Sequence, residues 1–353
     1  MKKKKVALLA NLKVNAPHWE GMPEDQWDDL DSEKTINTIL GAMHNGGYEC
    51  EFFEGNFKII ETLPKYKPDI CFNICEGYYG DSREAHIPAI LEMLRIPYTG
   101  SRVLTLALAL DKPMTKRILD FHELPTPPFQ TFERVDEPLD PTLRFPLFVK
   151  PSREGTSMGV SLKSVVNTKE ELYEQVGHIM HRYHQPALVE EYIEGREVTI
   201  GMIGNLHGPI ARRIPHDVNL PRIQSGLRFL PPMEVDLKPY LLTDAVYSNH
   251  LKVALAEDLN YICPAPLDED MVDELNWLAA AVFRVLGTLD VARVDFRLDV
   301  KDNWKPYILE INPLPGLSSV SDLVIAGRAD EVSHDALIVM VLETALERHN
   351  LLK

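Results

Sequence analysis

The first third of the chain alternates short apolar runs with segments whose apolar residues recur every three to four positions. The runs at 6–10, 49–53 and 69–74 have the length of buried strands, whereas 32–45 and 85–94 follow a helical period. Asp31 or Ser32 is suited to cap the first helix, and two glycines at 46–47 are suited to end it. Strands that alternate with helices in this way predict parallel βαβ units.

Beyond residue 110 the pattern changes to longer strands separated by single helices. The proline-rich segment 124–128 is typical of a linker that ends a domain. Weak periodicity and several prolines over 205–265 favour strands joined by a long mobile loop. The remaining predicted strands lie at 148–150, 187–193, 197–203, 292–298 and 306–311, and the remaining predicted helices at 112–121, 169–183, 271–286 and 334–348.

Length and charge narrow the class of protein. A chain of 353 residues that is 45% apolar can form two or three domains with buried cores. Its net charge of -16 repels nucleic acid and anionic membranes. Lys2–Lys5 precede an apolar run, 6–10, that is shorter than the core of a signal peptide, and no later run is long enough to span a membrane. We expect a cytoplasmic protein without nucleic-acid or membrane partners.

Cysteines and histidines offer little chemistry. The four cysteines contain no CxxC pair, and Cys71 and Cys75 belong to a strand-like apolar run, so we expect buried free thiols. His181 and His184 are three residues apart but lack a companion cysteine or carboxylate cluster. A zinc site is therefore not predicted.

A hydroxyl-rich loop with glycines follows the strand that ends at Lys150. Over 150–160 its backbone N–H groups and hydroxyls, including those of Thr156 and Ser157, are able to surround phosphate oxygens. The lysine precedes the glycines, so the segment is not the GxxxxGKS/T loop of P-loop NTPases. A plain surface hairpin explains the same residues.

Acidic side chains recur along the next strand segment, 188–197. Glu190, Glu191 and Glu197 are able to accept hydrogen bonds from an amine or from sugar hydroxyls. A solvated strand edge is the alternative interpretation.

The sharpest signal lies on two consecutive strands near the C-terminus. Arg293 and Asp295 share one strand face because side chains alternate, and Glu310 and Asn312 share a face of the next strand. Their oxygen donors are the ligands that Mg²⁺ prefers, whereas an ion pair between Arg293 and Glu310 is the purely structural alternative. The small, polar turn 314–321 that follows offers N–H groups and hydroxyls to a carboxylate.

Taken together and in this order, these segments resemble the D-alanine–D-alanine ligase family of the ATP-grasp superfamily over nearly the whole chain. The most specific stretches are 150–160, 293–295 and 310–321, supported by 96–100, 111–112 and 261–265. The resemblance implies an α/β (α+β) ATP-grasp fold and a homodimer. An N-terminal βαβ domain, 1–110, would precede a central ATP-grasp lobe, 111–205, and a C-terminal lobe, 206–353, with the metal and catalytic residues.

The resemblance also implies roles for individual residues. ATP phosphates would contact Lys112, Lys150 and the loop residues Thr156 and Ser157, and Lys252 would approach the γ-phosphate. Two Mg²⁺ ions, for which Mn²⁺ substitutes, would bind Asp295, Glu310 and Asn312. Arg293 and the N–H group of Gly316 would stabilise the acyl phosphate. The other implied contacts are the adenine pocket at Glu190, Glu191 and Ile193, the ribose at Glu197, and the second substrate's carboxylate at Ser318 and Ser321.

Three departures from the family pattern concern the substrate pocket. Glu76 stands where an HGxxGEDG segment carries histidine. Thr156 replaces a serine and Val253 a tyrosine of the usual Glu-Ser-Tyr arrangement. The glutamate that holds the substrate ammonium has no clear match, and Asp28 is the nearest carboxylate.

We therefore predict an ATP- and Mg²⁺-dependent, ADP-forming ligase that activates a carboxylate as an acyl phosphate and joins two small amino acids through an amide bond. A ligase with another acyl donor or amine acceptor keeps the same ATP and metal residues and changes only the pocket. A non-catalytic ATP-binding module is the alternative from a different class.

Overall fold

The computed structural model describes residues 3–206, 226–236 and 260–352. Lys252 and Val253, to which the sequence assigns a loop lysine and a replaced tyrosine, lie outside the described residues. The predicted mobile loop over 205–265 also lies largely outside them. In its described part, three strands occur.

The N-terminal part is built on the predicted parallel sheet. Strands β1 (Lys5–Ala10), β2 (Glu49–Glu54) and β3 (Ile70–Asn73) pair in the order β2-β1-β3, with both pairings parallel. Helix α1 (Glu33–Asn45) connects the first two strands, and the hydroxyl of Ser32 caps it by accepting from the N–H of Thr35. Helices α2 (Ile59–Tyr66) and α3 (His86–Leu94) follow, of which the sequence predicted only α3. All four cysteines are free, as predicted, and Cys71 and Cys75 are fully buried. Cys50 and Cys263 are only partly buried, so the prediction of buried thiols is wrong for these two.

Two further helices lead into a four-stranded antiparallel sheet. Helices α4 (Val103–Leu110) and α5 (Lys112–Phe121) precede strands β4 (Phe129–Phe132), β5 (Leu147–Pro151), β6 (Val165–Val166) and β7 (Ala187–Glu191). The strand order is β4-β7-β5-β6, and the apolar face of α6 (Lys169–Tyr183) covers this sheet. The sequence did not predict α4, β4 or β6, which are short.

The largest sheet is antiparallel and follows directly. Its path is β11-β10-β8-β12-β13, and β9 pairs with β8 beside it. The ranges are β8 (Gly195–Gly204), β9 (Leu227–Phe229), β10 (Met233–Asp236), β11 (Asn260–Ile262), β12 (Asp290–Asp299) and β13 (Lys305–Asn312). Helix α7 (Glu269–Val285) buries its apolar side against this sheet.

The C-terminal helices return to the N-terminal sheet. Helices α8 (Asp322–Ala329) and α9 (His334–Arg348) share a core with α1, β1 and β3. At the end of α9, the Arg348 guanidinium donates to both oxygens of fully buried Asp290, at 2.8 and 2.7 Å, and to the carbonyl of Tyr98 at 2.9 Å. The N–H of Gly100 donates to the same aspartate at 2.8 Å. This network fixes the first sheet relative to the large antiparallel sheet.

The proline-rich segment predicted as a linker needs a correction. The N–H of Ile308 on β13 donates to the carbonyl of Pro125 at 2.8 Å, and the hydroxyl of Thr126 donates to the carbonyl of Ile308 at 3.0 Å. Leu124 is buried in the core beneath the same sheet. The segment is therefore packed along a strand edge, because its backbone completes the hydrogen bonding of β13. The division at residues 110 and 205 stays a prediction.

Within the described ranges, none of the helices combines the length and the apolar composition that crossing a bilayer requires.

Candidate active site

The centre of the site is a row of polar side chains across three strands of the large sheet. The pairing register places Thr199 of β8 beside Asp295 of β12, and Asp295 beside Glu310 of β13. Two residues further along, Arg293 lies opposite Asn312. On the other side of the Asp295–Glu310 pair the register shifts, so that Phe296 faces Ile308 and Leu309 has no opposite residue. This bulge re-aims the end of β13 and brings the acidic residues of both strands together.

Asp295 is the most heavily bonded residue of this row. Its oxygens accept two hydrogen bonds from the Arg293 guanidinium, each at 2.8 Å, one from the Asn312 amide at 2.9 Å, and one from the hydroxyl of Thr199. A second carboxylate, that of Asp322 at the start of α8, approaches Arg293 to 2.7 Å. The ion-pair partners of Arg293 are therefore Asp295 and Asp322, and the proposed pair with Glu310 is wrong.

Glu310 lies among cations and stays ionised. Burial by itself would raise its pKa, but Lys112, Lys150 and Arg293 outweigh that effect and lower the pKa to about 2. The Nζ atom of Lys112 lies 3.3 Å from Glu310 Oε2. Two carboxylates and an amide are adjacent here, which is a hard oxygen donor set suited to Mg²⁺. Among the residues that the structure describes, no group of three His, Cys, Asp or Glu side chains could hold a metal, so a cation here needs further oxygen ligands.

A first cavity lies between the two antiparallel sheets, and the predicted adenine and ribose residues line it. Glu190, Glu191, Ile193 and Glu197 all belong to its wall. Its apolar surface includes Phe148, Met158 and Leu309, and the ring of Phe148 stacks on that of Tyr192 with centroids 6.3 Å apart. A flat aromatic ligand with a polar edge matches such a wall.

Glu190, on the wall of this cavity, is held by two lysines, of which only Lys150 lines the cavity. Its carboxylate lies 2.6 Å from Lys150 Nζ and 2.5 Å from Lys116 Nζ, and only 3% of the residue is exposed. Burial would raise the pKa of Glu190, but Lys116 and Lys150 together lower it. The alternative of a solvated strand edge is therefore wrong for Glu190, while Lys150 keeps its charge at the cavity wall.

The glycine-containing loop after Lys150 is folded onto the rest of the protein. Lys112 donates a hydrogen bond to the carbonyl of Glu154, and the N–H of Gly159 donates to Asp25 at 2.8 Å. Thr156 and Ser157 adopt positive φ angles of 50° and 58°, and Ser157 lines the first cavity. The surface-hairpin alternative does not hold, because loop residues form part of a cavity wall.

A second cavity adjoins the first and carries the predicted substrate residues. Lys112, Glu154, Ser157, Glu197, Asp295 and Glu310 line both cavities. One end of the second cavity contains Arg293, Gly316, Ser318 and Ser321, and the N–H of Ser318 donates to Ser321 Oγ at 3.1 Å. Thr156 lines this cavity and not the first. The polar row of β12 and β13 thus stands at the junction of two spaces.

The opposite end of the second cavity is acidic. Asp28 and Glu76, the predicted substrate residues, line this part of the cavity, and Asp28 forms an ion pair with Lys13 at 2.5 Å. Burial and the neighbouring carboxylates of Glu84 and Asp29 raise the pKa of Glu76 well above its usual range.

Several residues of the site escaped the sequence interpretation: Asp29, Arg83, Glu84, Lys116, Arg297 and Asp322. Arg297 continues the charged, every-second-residue pattern of Arg293 and Asp295, and that periodicity was a usable signal. It donates to Glu197 at 2.7 Å. The others meet partners far away in the sequence, so no local pattern marked them.

Comparison with known proteins decides the family. A family model described as the C-terminus of D-Ala–D-Ala ligases matches residues 118–218 and 231–343, which is more than half of the chain. The chain belongs to the D-alanine–D-alanine ligase family.

Relatives within the family are moderately similar over most of their length. The chain is 31% identical over 326 residues to the D-alanine–D-alanine ligase of Pelotomaculum thermopropionicum, covering 90% of this chain and 92% of the relative. It is 33% identical over 328 residues to the uncharacterized protein y4sG of Sinorhizobium fredii, covering 90% and 88%. A crystal structure of the Bacillus anthracis D-alanine–D-alanine ligase complexed with ATP matches 98% of this chain and 99% of that chain, with a TM-score of 0.70 at 21% identity. The predicted α/β ATP-grasp fold is confirmed.

Among the described residues, those that depart from the family pattern line the second cavity. Glu76 and Thr156 both line it, whereas the walls of the first cavity carry the residues that resemble the family. The described departures from the family pattern therefore lie in the second cavity and not in the first.

Proposed function

We propose that this family member is an ADP-forming ligase that joins two amino acids through an amide bond. The observation that supports the proposal is the junction itself: Asp295 and Glu310 line both an apolar-walled cavity suited to a nucleotide and a polar cavity suited to small charged substrates. Asn312 lines the second of these cavities. A reaction that transfers a phosphoryl group from the first ligand to the second requires such an arrangement.

The first cavity is proposed to hold ATP. The adenine would lie against Ile193 and Phe148, with its amine near Glu190 and Glu191, and the ribose hydroxyls near Glu197. The phosphates would extend towards Lys112 and Lys150, whose charges face the junction. Lys252, outside the described residues, is expected to approach the γ-phosphate as the resemblance implies.

Asp295, Glu310 and Asn312 would hold divalent cations, proposed to be two Mg²⁺ ions that Mn²⁺ can replace. Bound cations would neutralise charge on the transferred phosphoryl group. The protein's part is to keep Glu310 ionised through Lys112 and to fix the orientation of Asp295 through Arg293 and Thr199.

Chemistry then proceeds in two steps. A donor carboxylate oxygen attacks the γ-phosphorus and ADP leaves, giving an acyl phosphate. The amine of the second substrate attacks the acyl carbon, phosphate leaves and the amine loses a proton. Arg293 and the N–H of Gly316 would stabilise the negative charge that grows on the phosphate and on the acyl oxygen. Ser318 and Ser321 would receive the second substrate's carboxylate.

Two carboxylates compete for the donor's ammonium group. The sequence favours Asp28, and both carboxylates form an ion pair, Asp28 with Lys13 and Asp29 through Oδ2 with Arg83. Asp29 Oδ1 is buried at the same cavity wall and has no hydrogen-bond partner. We therefore propose Asp29 as the stronger candidate. A donor other than alanine is the second candidate function, since Glu76 and Thr156 alter this pocket.

The decisive experiment measures ADP and phosphate release from ATP and Mg²⁺ with D- and L-amino acids, singly and in pairs, and identifies products by mass spectrometry. We expect ADP release that depends on amino acids and matches amide product one to one. Release without any amide product, or no response to any amino acid or pair, would overturn the proposal. Glu310→Gln should abolish turnover while leaving the fold intact.

A homodimer and a cytoplasmic location are carried forward from the sequence as predictions.

A further inference from the structure

Four carboxyl groups meet at the acidic end of the second cavity: Asp29, Asp31, Glu76 and Glu84. They come from two segments, the turn before α1 and the loop between β3 and α3. Burial raises the pKa of Asp31, Glu76 and Glu84, and the negative charge of Asp29 adds to each of these shifts. The four carboxyls therefore interact electrostatically and form one cluster.

Positive charge near the cluster is scarce. Arg83 lies 2.6 Å from Asp29 Oδ2 and 3.5 Å from Glu154 Oε2, and it also donates to the carbonyl of Arg153. The charge of Lys112 lowers the pKa of Glu84. Lys112 itself forms an ion pair with Glu310 and donates a hydrogen bond to the carbonyl of Glu154. Among the described residues, these two cations face four clustered carboxyls and Glu154.

The carboxylate of Asp29 has unused hydrogen-bonding capacity. The Asp29 side chain is only 5% exposed, and its Oδ1 atom has no partner. Unpartnered carboxyl oxygens in a buried wall are costly, and a bound cationic ligand removes that cost.

Burial keeps protons on this cluster when no ligand is bound. Burial, reinforced by Asp29, raises the pKa of Asp31 to about 7. Burial also raises the pKa of Glu84 to about 7, although Arg83 opposes the shift. A ligand that brings more than one positive charge would displace these protons.

The geometry argues against a metal ion as that ligand. No three acidic or other metal-ligating side chains of the described residues, this cluster included, are arranged to hold a metal. Carboxyls that share a cavity wall without this arrangement instead suit an organic cation, whose N–H groups point in several directions.

We propose that the acyl donor carries a second cationic group, so that the first substrate is a diamino or guanidino amino acid. The inference rests on the proposed ligase function and names its donor class. The α-ammonium would bind at Asp29, and the side-chain cation at Glu76 and Glu84. In the family pattern the position of Glu76 is a histidine, which would not attract a cation in this way.

The test compares donors of equal length that differ in charge. Ornithine and lysine in both stereochemical forms would be measured against norvaline and norleucine, and arginine against citrulline, with alanine and other small amino acids as acceptors. We expect kcat/KM for the cationic donor to exceed that for its neutral partner at least tenfold, mainly through KM. Equal or reversed preference with clear amide product would overturn the inference and leave the ligase function standing, whereas absence of amide product with every donor would overturn both.

Variants supply a second, independent readout. Glu76→Gln keeps the shape of the side chain and should lower the cationic-to-neutral ratio of kcat/KM about tenfold or more. Asp302→Asn, in the exposed β12–β13 turn, removes one negative charge far from the pocket and should leave the ratio unchanged. An unchanged ratio in a folded Glu76→Gln protein would contradict the assignment of Glu76.

Discussion

Replacing Asp295 with asparagine tests whether this residue is a metal ligand or only an ion-pair partner of Arg293. Asp322→Asn is the matched control, because Asp295 and Asp322 both contact Arg293, at 2.8 and 2.7 Å, and both are buried. Only Asp295 also lies beside Glu310 and accepts from Asn312.

The magnitudes follow from these contacts. Each variant leaves Arg293 with one carboxylate partner. The free energy of unfolding should therefore fall by about 3 kcal/mol in both variants, which is the lower end of the cost of breaking a buried ion pair. If Arg293 is misplaced in both variants and the transition state loses the same amount, about 3 kcal/mol, kcat/KM should fall about 100-fold in each. Asp295→Asn should add the loss of a metal ligand, giving a fall of about 10³-fold or more and an Mg²⁺ requirement at least about tenfold higher.

The assay is ADP release as a function of Mg²⁺ concentration, combined with urea unfolding of both variants and Mn²⁺ binding measured by electron paramagnetic resonance. Equal activity losses with the same Mg²⁺ and Mn²⁺ dependence in the two variants would refute the metal assignment of Asp295. It would then act only by positioning Arg293.

Two further predictions concern the nucleotide cavity and pH. Lys150→Met should weaken ATP binding about tenfold or more in a calorimetric titration. Lys116→Met is the control, because Lys116 also forms an ion pair with Glu190 but does not line the cavity, and it should change ATP binding little. Equal effects of the two variants would contradict the phosphate role of Lys150. Because burial raises the pKa of Glu84 from 4.5 to about 7, the folded protein retains a proton that the unfolded chain loses, so stability falls as pH rises through this window. Urea unfolding of ligand-free protein should show Glu84→Gln gaining about 2 kcal/mol relative to the native protein between pH 5.5 and 8, and a pH-independent difference would refute the shift.

Local chemistry could be read from the sequence. Hydrophobic periodicity located most of the longer strands and helices, and the alternation of side chains placed Arg293 with Asp295, and Glu310 with Asn312, on common strand faces. Short elements such as α2, α4 and β6 were missed, because a few residues carry too little periodicity.

Tertiary structure decided which of these groups meet. The bulge at Leu309 sets the register that places Asp295 beside Glu310, and α8 brings Asp322 to Arg293. The acidic cluster depends on the loop before α1 and the loop after β3, whose residues are about fifty positions apart in the chain. Strand register and long-range packing depend on the summed burial of the whole core, and therefore no local pattern could specify them.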